Sequence, residues 1–333
     1  MPLITIIIAI ILSSITIAIL YNKDLLSKRF NFLDNSIGSN RKIHKNKISN
    51  IGGCACLIPI LIALLITGFI PNEYIFSKKY ILIAIITSIS FFFLGRIDDL
   101  KDLTPNRKFL TFCFLFLFFY PLEPNLIVHQ INFKYLNINL ILNNYSIFFT
   151  LFCMFVFFNT SNFIDGVNGL YASTMLFWLL FLIFKIKTFP LIILTIILCL
   201  IFFVFYNLNN KVFMGNSGNA FITCLIGSLY IYLYNKTENI FCDEIFIVFL
   251  IPGIDALRVS IERIWSGKSP FEGDKNHLHH FIFKKFNQKY TWIVSLFLNV
   301  SPLLILVISN NFWISICLSM VLYTFTYYFF KKI

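Results

Sequence analysis

The chain has 333 residues, of which 58% are hydrophobic and 13% charged. That balance lies outside the soluble globular range, and the apolar residues fall in long blocks without a helical or strand rhythm, which marks an integral membrane protein. The formal net charge of +12 is then chiefly a topology signal with capacity for anionic lipid or phosphate, and nucleic-acid binding is a poor explanation of it.

A bilayer core takes about 20 apolar residues of helix, and eleven blocks are placed as spans: 3–21, 52–70, 80–94, 109–122, 146–158, 170–184, 189–206, 220–234, 245–257, 292–307 and 312–330. The expected fold is an all-α polytopic membrane protein forming one domain over residues 1–333. The first block reads as an anchor and not a signal peptide, because no basic residue precedes it and no small-x-small cleavage pattern follows. Blocks 109–122 and 146–158 are short, so they must borrow residues from their flanks or lie in thinned bilayer. The basic segment 22–50 follows the first span. Between the fourth and fifth, the alternation of Ile131, Phe133 and Tyr135, then Ile138 and Leu140, predicts at most a short hairpin. Of the 27 Lys and Arg, 21 lie in the loops after the odd-numbered spans and in the C-terminal tail. The positive-inside rule therefore puts the N-terminus outside and those loops and the C-terminus in the cytoplasm. Seven of the eight cysteines lie in spans and only Cys242 sits near the outer surface. No disulfide framework or Cys-x-x-Cys metal site follows from them, and they read as small apolar residues.

The loops assigned to the cytoplasm hold the rare polar residues. Asp98-Asp99-x-x-Asp102, where the third span ends, puts two or three carboxylates on the first turn of a helix or its lead-in, a geometry for a hard divalent cation shared with substrate phosphates. The alternative is a solvated acidic turn neutralised by Lys101, Arg107 and Lys108. Asn159-x-x-Asn162-x-x-Asp165-Gly166-x-x-Gly169 closes the fifth span. Its amides and acid cannot face hydrocarbon unpaired, so they line a polar cleft or an internal network joining helices. The amides suit a nucleobase edge or a sugar amide, Asp165 suits a metal or a ribose hydroxyl, and the glycines permit close backbone approach or a tight helix start. Phe213-Met214-Gly215-Asn216-Ser217-Gly218-Asn219 opens the eighth span and offers backbone N–H groups to an anion such as pyrophosphate, although such helix starts are mostly structural. After the ninth span come Arg258, Glu262 and Arg263, then Lys268-Ser269-Pro270-Phe271 and Asp274-x-x-His277-x-His279-His280. The histidine spacing matches no common structural zinc pattern, so phosphate binding or proton transfer fits better than zinc, with a solvated polar loop as the alternative. Asp255 and Arg258, one turn apart, read as a structural pair.

Taken together and in this order, the four polar blocks resemble those of the polyprenyl-phosphate N-acetylhexosamine-1-phosphate transferase family. The resemblance runs from Arg41-x-x-His44 and Gly52-Gly53 to His280, and Ser269-Pro270-Phe271 with His277-Leu278-His279-His280 is similar to the N-acetylglucosamine branch more than to the peptidoglycan branch. It implies a multi-pass enzyme of the bacterial cytoplasmic membrane, dependent on Mg²⁺ with Mn²⁺ as the alternative. Its substrates would be a UDP-N-acetylhexosamine and undecaprenyl phosphate, its lipid product would open a cell-envelope pathway such as lipopolysaccharide or O-antigen synthesis, and a homodimer is a further expectation. A lipid phosphate oxygen would attack the β-phosphorus and UMP would leave. Such a transition state needs charge neutralisation and in-line positioning more than a strong base.

The resemblance implies that Asp98 and Asp99 bind metal and position the lipid phosphate, with Asp98 as proton acceptor a minor alternative. Asp165 and Asn216 complete the metal set, and Asn162 and Asp165 hold the nucleotide. His279, His280 and Lys268 neutralise the pyrophosphate, with Asn159, Asn168 and His277 as further substrate contacts. Phe163 is either a uracil platform or core. Arg107 and Lys108 would draw in the anionic lipid head. Two positions depart from the family pattern: Asn216 and Asn168 stand where carboxylates are usual, which removes charge from the metal set. That leaves an inactive, substrate-binding relative as one competitor. A transporter is the other, but it calls for charged residues near span centres, whereas these cluster at cytoplasmic ends.

Overall fold

The structure, a computed structural model, describes residues 2–32, 48–69, 75–269 and 276–332. Arg41, His44, Pro270, Phe271, Asp274 and Lys275 lie outside the described residues.

In chain order the helices are α1 (Pro2–Tyr21), α2 (Lys23–Phe30), α3 (Gly52–Phe69), α4 (Lys78–Lys101), α5 (Pro105–Phe119), α6 (Ser146–Ile164), α7 (Leu170–Ile186), α8 (Leu191–Leu208), α9 (Gly215–Lys236), α10 (Cys242–Trp265), α11 (Leu278–Lys285), α12 (Gln288–Ser309) and α13 (Phe312–Lys331). Each of the eleven predicted spans coincides with one of them, and the two extra helices, α2 and α11, are eight residues each. The fold is thus an all-α polytopic membrane protein. Among the described residues, seven helices are long and apolar enough to cross a bilayer by themselves: α1, α3, α4, α6, α8, α12 and α13. The other four have separate reasons. α5 and α7 are short, at 15 and 17 residues. α10 carries Asp243, Glu244, Asp255, Arg258, Glu262 and Arg263. α9 starts with polar and small residues, but every position from Ser217 to Tyr234 is buried. A helix covered on all sides is a core helix, so its composition answers to its neighbours and not to lipid.

Glycines let those neighbours approach. A Cβ on Gly53 of α3 would collide with the backbone of Gly218 in α9, and one on Gly218 would lie 2.5 Å from the Cα of Gly53. Close backbone crossings of this kind are how helices associate where no water is available to drive them together.

The ends of the helices sort into two polar clusters. At one end the predicted hairpin forms from β1 (Gln130–Phe133) and β2 (Ile138–Ile141), antiparallel with Gln130 opposite Ile141. Glu244 at the start of α10 ties this end together through Lys185 of α7 at 2.5 Å and Lys134 of the hairpin at 3.4 Å. At the other end lie the last turns of α4 and α6 and the starts of α7, α9 and α11.

One sequence expectation is corrected here. Asp98 and Asp99 sit on the last turn of α4, not on the first turn of a helix, because nothing breaks the helix until Asp102 caps it in the left-handed conformation (φ 45) ahead of Pro105. The difference matters electrically, since a helix C-terminus is the negative end of the macrodipole and repels acids.

Candidate active site

Three carboxylates lie at two such negative ends: Asp98 and Asp99 at the end of α4, and Asp165 as the residue that caps α6. Each is compensated differently. Asp98 is buried and accepts from the Leu103 amide at 2.9 Å, and its other oxygen is 2.6 Å from the Lys108 ammonium. Asp99 reaches across to α9, whose first amides satisfy it: Asn216 N–H at 2.8 Å and Ser217 N–H at 3.1 Å. The helix start that looked like a pyrophosphate cradle is therefore occupied by the protein's own carboxylate, with the positive end of α9 set against the negative end of α4.

Asp165 has the least compensation. Its hydrogen bond comes from the neutral Asn219 side chain, at 3.4 Å. The residue is exposed along an open cleft, while its carboxyl is crowded by protein. That desolvation, relieved in part by Asn219 and reinforced by the facing charge of Asp99, raises its pKa to about 7. Two carboxylates forced together at negative helix ends, with an amide at Asn216 nearby, make a donor set suited to a hard divalent cation. The fit lies in donor type and unmet charge; among the described residues no group of three or more His, Cys, Asp or Glu is gathered as for a bound metal ion.

Contact between α4 and α9 depends on Gly95. A Cβ there would run into the Asn216 carbonyl and lie 2.5 Å from the Ser217 Cα, both of them backbone. Neither side can yield, so Gly95→Ala should destabilise by about 1–3 kcal/mol. It should appear as a lower unfolding temperature in detergent, and an unchanged temperature would show that the crossing is looser than drawn.

The cleft beside Asp165 measures ≈ 620 Å³. Its lining joins an aromatic cluster, Phe109 and Phe112 of α5 against Phe155 and Phe158 of α6, to polar residues that include Lys108, Asn159, Asn162, Asp165, Ser269 and His280. Asn159 also donates to the Phe155 carbonyl at 2.8 Å, so it remains within the helix hydrogen-bond pattern. Gly166 forms the floor against the histidines. A Cβ on it would lie 2.5 Å from His279 Nε2 and 2.9 Å from His280 Cε1. The Asp165-Gly166 corner and the histidine pair, more than a hundred residues apart in the chain, are thus one site.

The three histidines are not equivalent. His280 lines the cleft, and so does His277. His279 is buried, its Nε2 has no partner among the described residues, and burial with two neighbouring histidines holds its pKa well below the usual value. His277 is buried as well, but its nitrogens face Asp255 at 2.9 Å and Arg263 at 3.4 Å, while its ring lies 4.7 Å from that of Phe163. Phe163 lines the cleft and carries the Arg263 guanidinium 5.1 Å from its centroid, so part of its surface is already stacked inside the protein. Asp255 and Arg258 form the expected pair at 2.9 Å.

Three candidates fall outside this cluster. Arg107 and Lys268 are exposed and do not line the cleft, and Asn168 donates to Asn210 at 2.7 Å. Asn219, the last residue of the block that opens the eighth span, had no role assigned in the sequence and supplies the Asp165 contact. Asn207 went unnoticed; it accepts from the Gly169 amide at 2.6 Å while donating to the Val212 carbonyl at 2.8 Å, and carries no local signal beyond being an amide close to an apolar run.

Comparison with known proteins bears on the same residues. A family described as glycosyl transferase family 4 matches residues 81–234. The undecaprenyl-phosphate alpha-N-acetylglucosaminyl 1-phosphate transferase of Escherichia coli O157:H7 is 24% identical over 260 residues, covering 73% of this chain and 67% of that protein. The phospho-N-acetylmuramoyl-pentapeptide-transferase of Staphylococcus carnosus is 26% identical over 284 residues, covering 78% of this chain and 85% of that protein. A probable undecaprenyl-phosphate N-acetylglucosaminyl 1-phosphate transferase of Bacillus subtilis is 24% identical over 249 residues, 73% of this chain and 67% of that protein.

Proposed function

We propose that this chain, a member of the polyprenyl-phosphate hexosamine-1-phosphate transferase family, moves a phospho-sugar from a UDP-N-acetylhexosamine to undecaprenyl phosphate in the bacterial inner membrane and releases UMP. The single observation that carries this reading is the amphipathic lining of the cleft, in which an aromatic cluster lies beside Lys108, Asp165, Gly166 and His280. A polyprenyl phosphate is amphipathic in the same sense. Its isoprene units suit Phe109, Phe112, Phe155 and Phe158, and its phosphate suits Lys108, which Asp98 holds in place.

In the proposed reaction an oxygen of the lipid phosphate attacks the β-phosphorus of the donor, the bond to the bridging oxygen breaks, and UMP takes that oxygen away. A phosphate monoester, with a second pKa near ~6, is largely dianionic at neutral pH and needs no strong base. Protein groups contribute position and charge. Asn159 and Asn162 offer donors and acceptors to the nucleotide or the sugar amide, and His279 and His280 offer ring nitrogens to the diphosphate. Mg²⁺, when bound, would neutralise the diphosphate charge, with Asp99, Asp165 and the Asn216 amide as the residues to hold it and Asp98 beside them. N-acetylglucosamine is the donor this reading favours over the muramoyl pentapeptide, on the strength of Ser269 and the spaced histidines.

Asn216 favours a second reading, that of a substrate-binding relative without turnover. One assay separates the two. Purified protein is expected to release UMP from a UDP-N-acetylhexosamine only when undecaprenyl phosphate and Mg²⁺ are both present. No UMP from any of a panel of UDP-sugars at saturating Mg²⁺ would sink the enzyme reading. UMP release confined to the Asn216→Asp protein would mark the natural chain as degenerate.

A further inference from the structure

The start of α11 is held from one direction, by side chains of α10. Asp255, itself buried, accepts from the Leu278 amide at 3.1 and 3.3 Å and lies 2.9 Å from His277 Nδ1. Arg258 donates to the Asn276 carbonyl at 2.7 Å and to Asp255 at 2.9 Å, and Tyr323 of α13 donates to Asp255 at 2.8 Å. Four donors thus converge on one carboxylate, and two of them belong to residues 277 and 278, immediately before the histidine pair.

These partners also settle the proton on His277. Asp255 is an acceptor, so Nδ1 carries hydrogen, and the guanidinium of Arg263 is a donor, so Nε2 offers its lone pair. A neutral ring in that tautomer is a wedge. One neighbour is Phe163 at 4.7 Å, and another is the His279 ring, 5.7 Å away and within 4° of parallel. His279 in turn meets Gly166.

We propose that Asp255 is a positioning residue for the transfer site, fixing His277 as a neutral spacer that sets where His279 and His280 stand over Gly166. His277 is then a support and not a phosphate ligand, and chain order hides the difference because the three histidines look alike. The activity arm of this inference rests on the transferase reading above. Its structural arm does not.

Selective ¹⁵N-histidine NMR of the full-length protein in nanodiscs tests the structural arm. One resonance, assigned to His277 by its loss in His277→Gln, is expected in the Nδ1–H tautomer in wild type and to leave that tautomer in Asp255→Asn. For activity, Asp255→Asn is expected to lower kcat by about 10²-fold with KM for the UDP-sugar changed less than about threefold. The double variant with His277→Gln should be no worse than the more impaired single variant. Ser315→Ala, which removes a buried hydrogen bond from α13 to the Pro302 carbonyl of α12 and contacts none of these residues, controls for lost stability and should keep both tautomer and kcat. The Nε2–H tautomer in wild type would overturn the proposal, as would Asp255→Asn and His277→Gln effects that multiply. If wild type releases no UMP with any donor, the transferase reading fails while the tautomer result still decides the support role of Asp255.

Discussion

Gly166→Val is expected to lower turnover by on the order of 10²-fold or more while the protein stays folded. The backbone gives no reason for glycine at this position, since positive φ among the site glycines is confined to Gly169 (φ 84) and Gly215 (φ 73). The constraint is spatial, because a Cβ would stand 2.5 Å from His279 Nε2 and 3.1 Å from His280 Nε2. His280 faces the cleft, but His279 is enclosed. A retreat is the small cavity, ≈ 40 Å³, that it lines with Thr160, Ser295 and Asn299. Moving there would draw the imidazole away from the Asp165-Gly166 corner, a displacement of the size that ruins near-attack geometry without unfolding anything. Gly166→Ala should show the same loss in milder form. UMP release measured beside the unfolding temperature checks it. Full turnover in Gly166→Val would mean that the histidine pair takes no part in the reaction.

What could be read from the chain follows from the range of the forces involved. Each apolar block became one helix because hydrocarbon leaves the backbone no alternative, and that rule acts locally. Even the short blocks 109–122 and 146–158 were found, as α5 and α6, the second extended by the very polar residues that closed its motif. The site was visible as a set of motifs but not as a geometry. Asp99 and the Asn216 amide are 117 residues apart, so nothing near either one announces that the carboxylate fills the helix start. Acids in Asp98-Asp99-x-x-Asp102 favour a helix N-terminus by local electrostatics, and their actual place at a C-terminus is bearable only through Lys108 and α9, contacts that tertiary packing creates. The histidines differ for the same reason. Asp255 and Arg263 make His277 a support, and only the fold brings them to it.

The departure at Asn216 sharpens under the same view. With Asp98 paired to Lys108 and Asp99 pinned by two amides, one neutral amide in place of a carboxylate throws the charge requirement onto Asp165. Asp165→Asn is therefore expected to abolish transfer, with a loss on the order of 10²–10³ in kcat, and at the same time to raise thermal stability at neutral pH. The sign follows from linkage. A carboxyl whose pKa rises from 3.8 unfolded to about 7 folded contributes stability that is complete below 3.8 and is lost as the pH climbs through about 7. Solvent entering the open cleft softens that loss without reversing it. In wild type the unfolding temperature should fall over this interval relative to Asp165→Asn, which has no proton to release there. Added Mg²⁺ above pH 7 should stabilise wild type and leave Asp165→Asn unmoved, because a ligand that binds the folded state raises its stability by mass action. Thermal unfolding of the two proteins in detergent, with and without Mg²⁺, checks both halves. A shift of equal size in the two would place the metal away from Asp165, and an active Asp165→Asn protein would remove that carboxylate from the chemistry altogether.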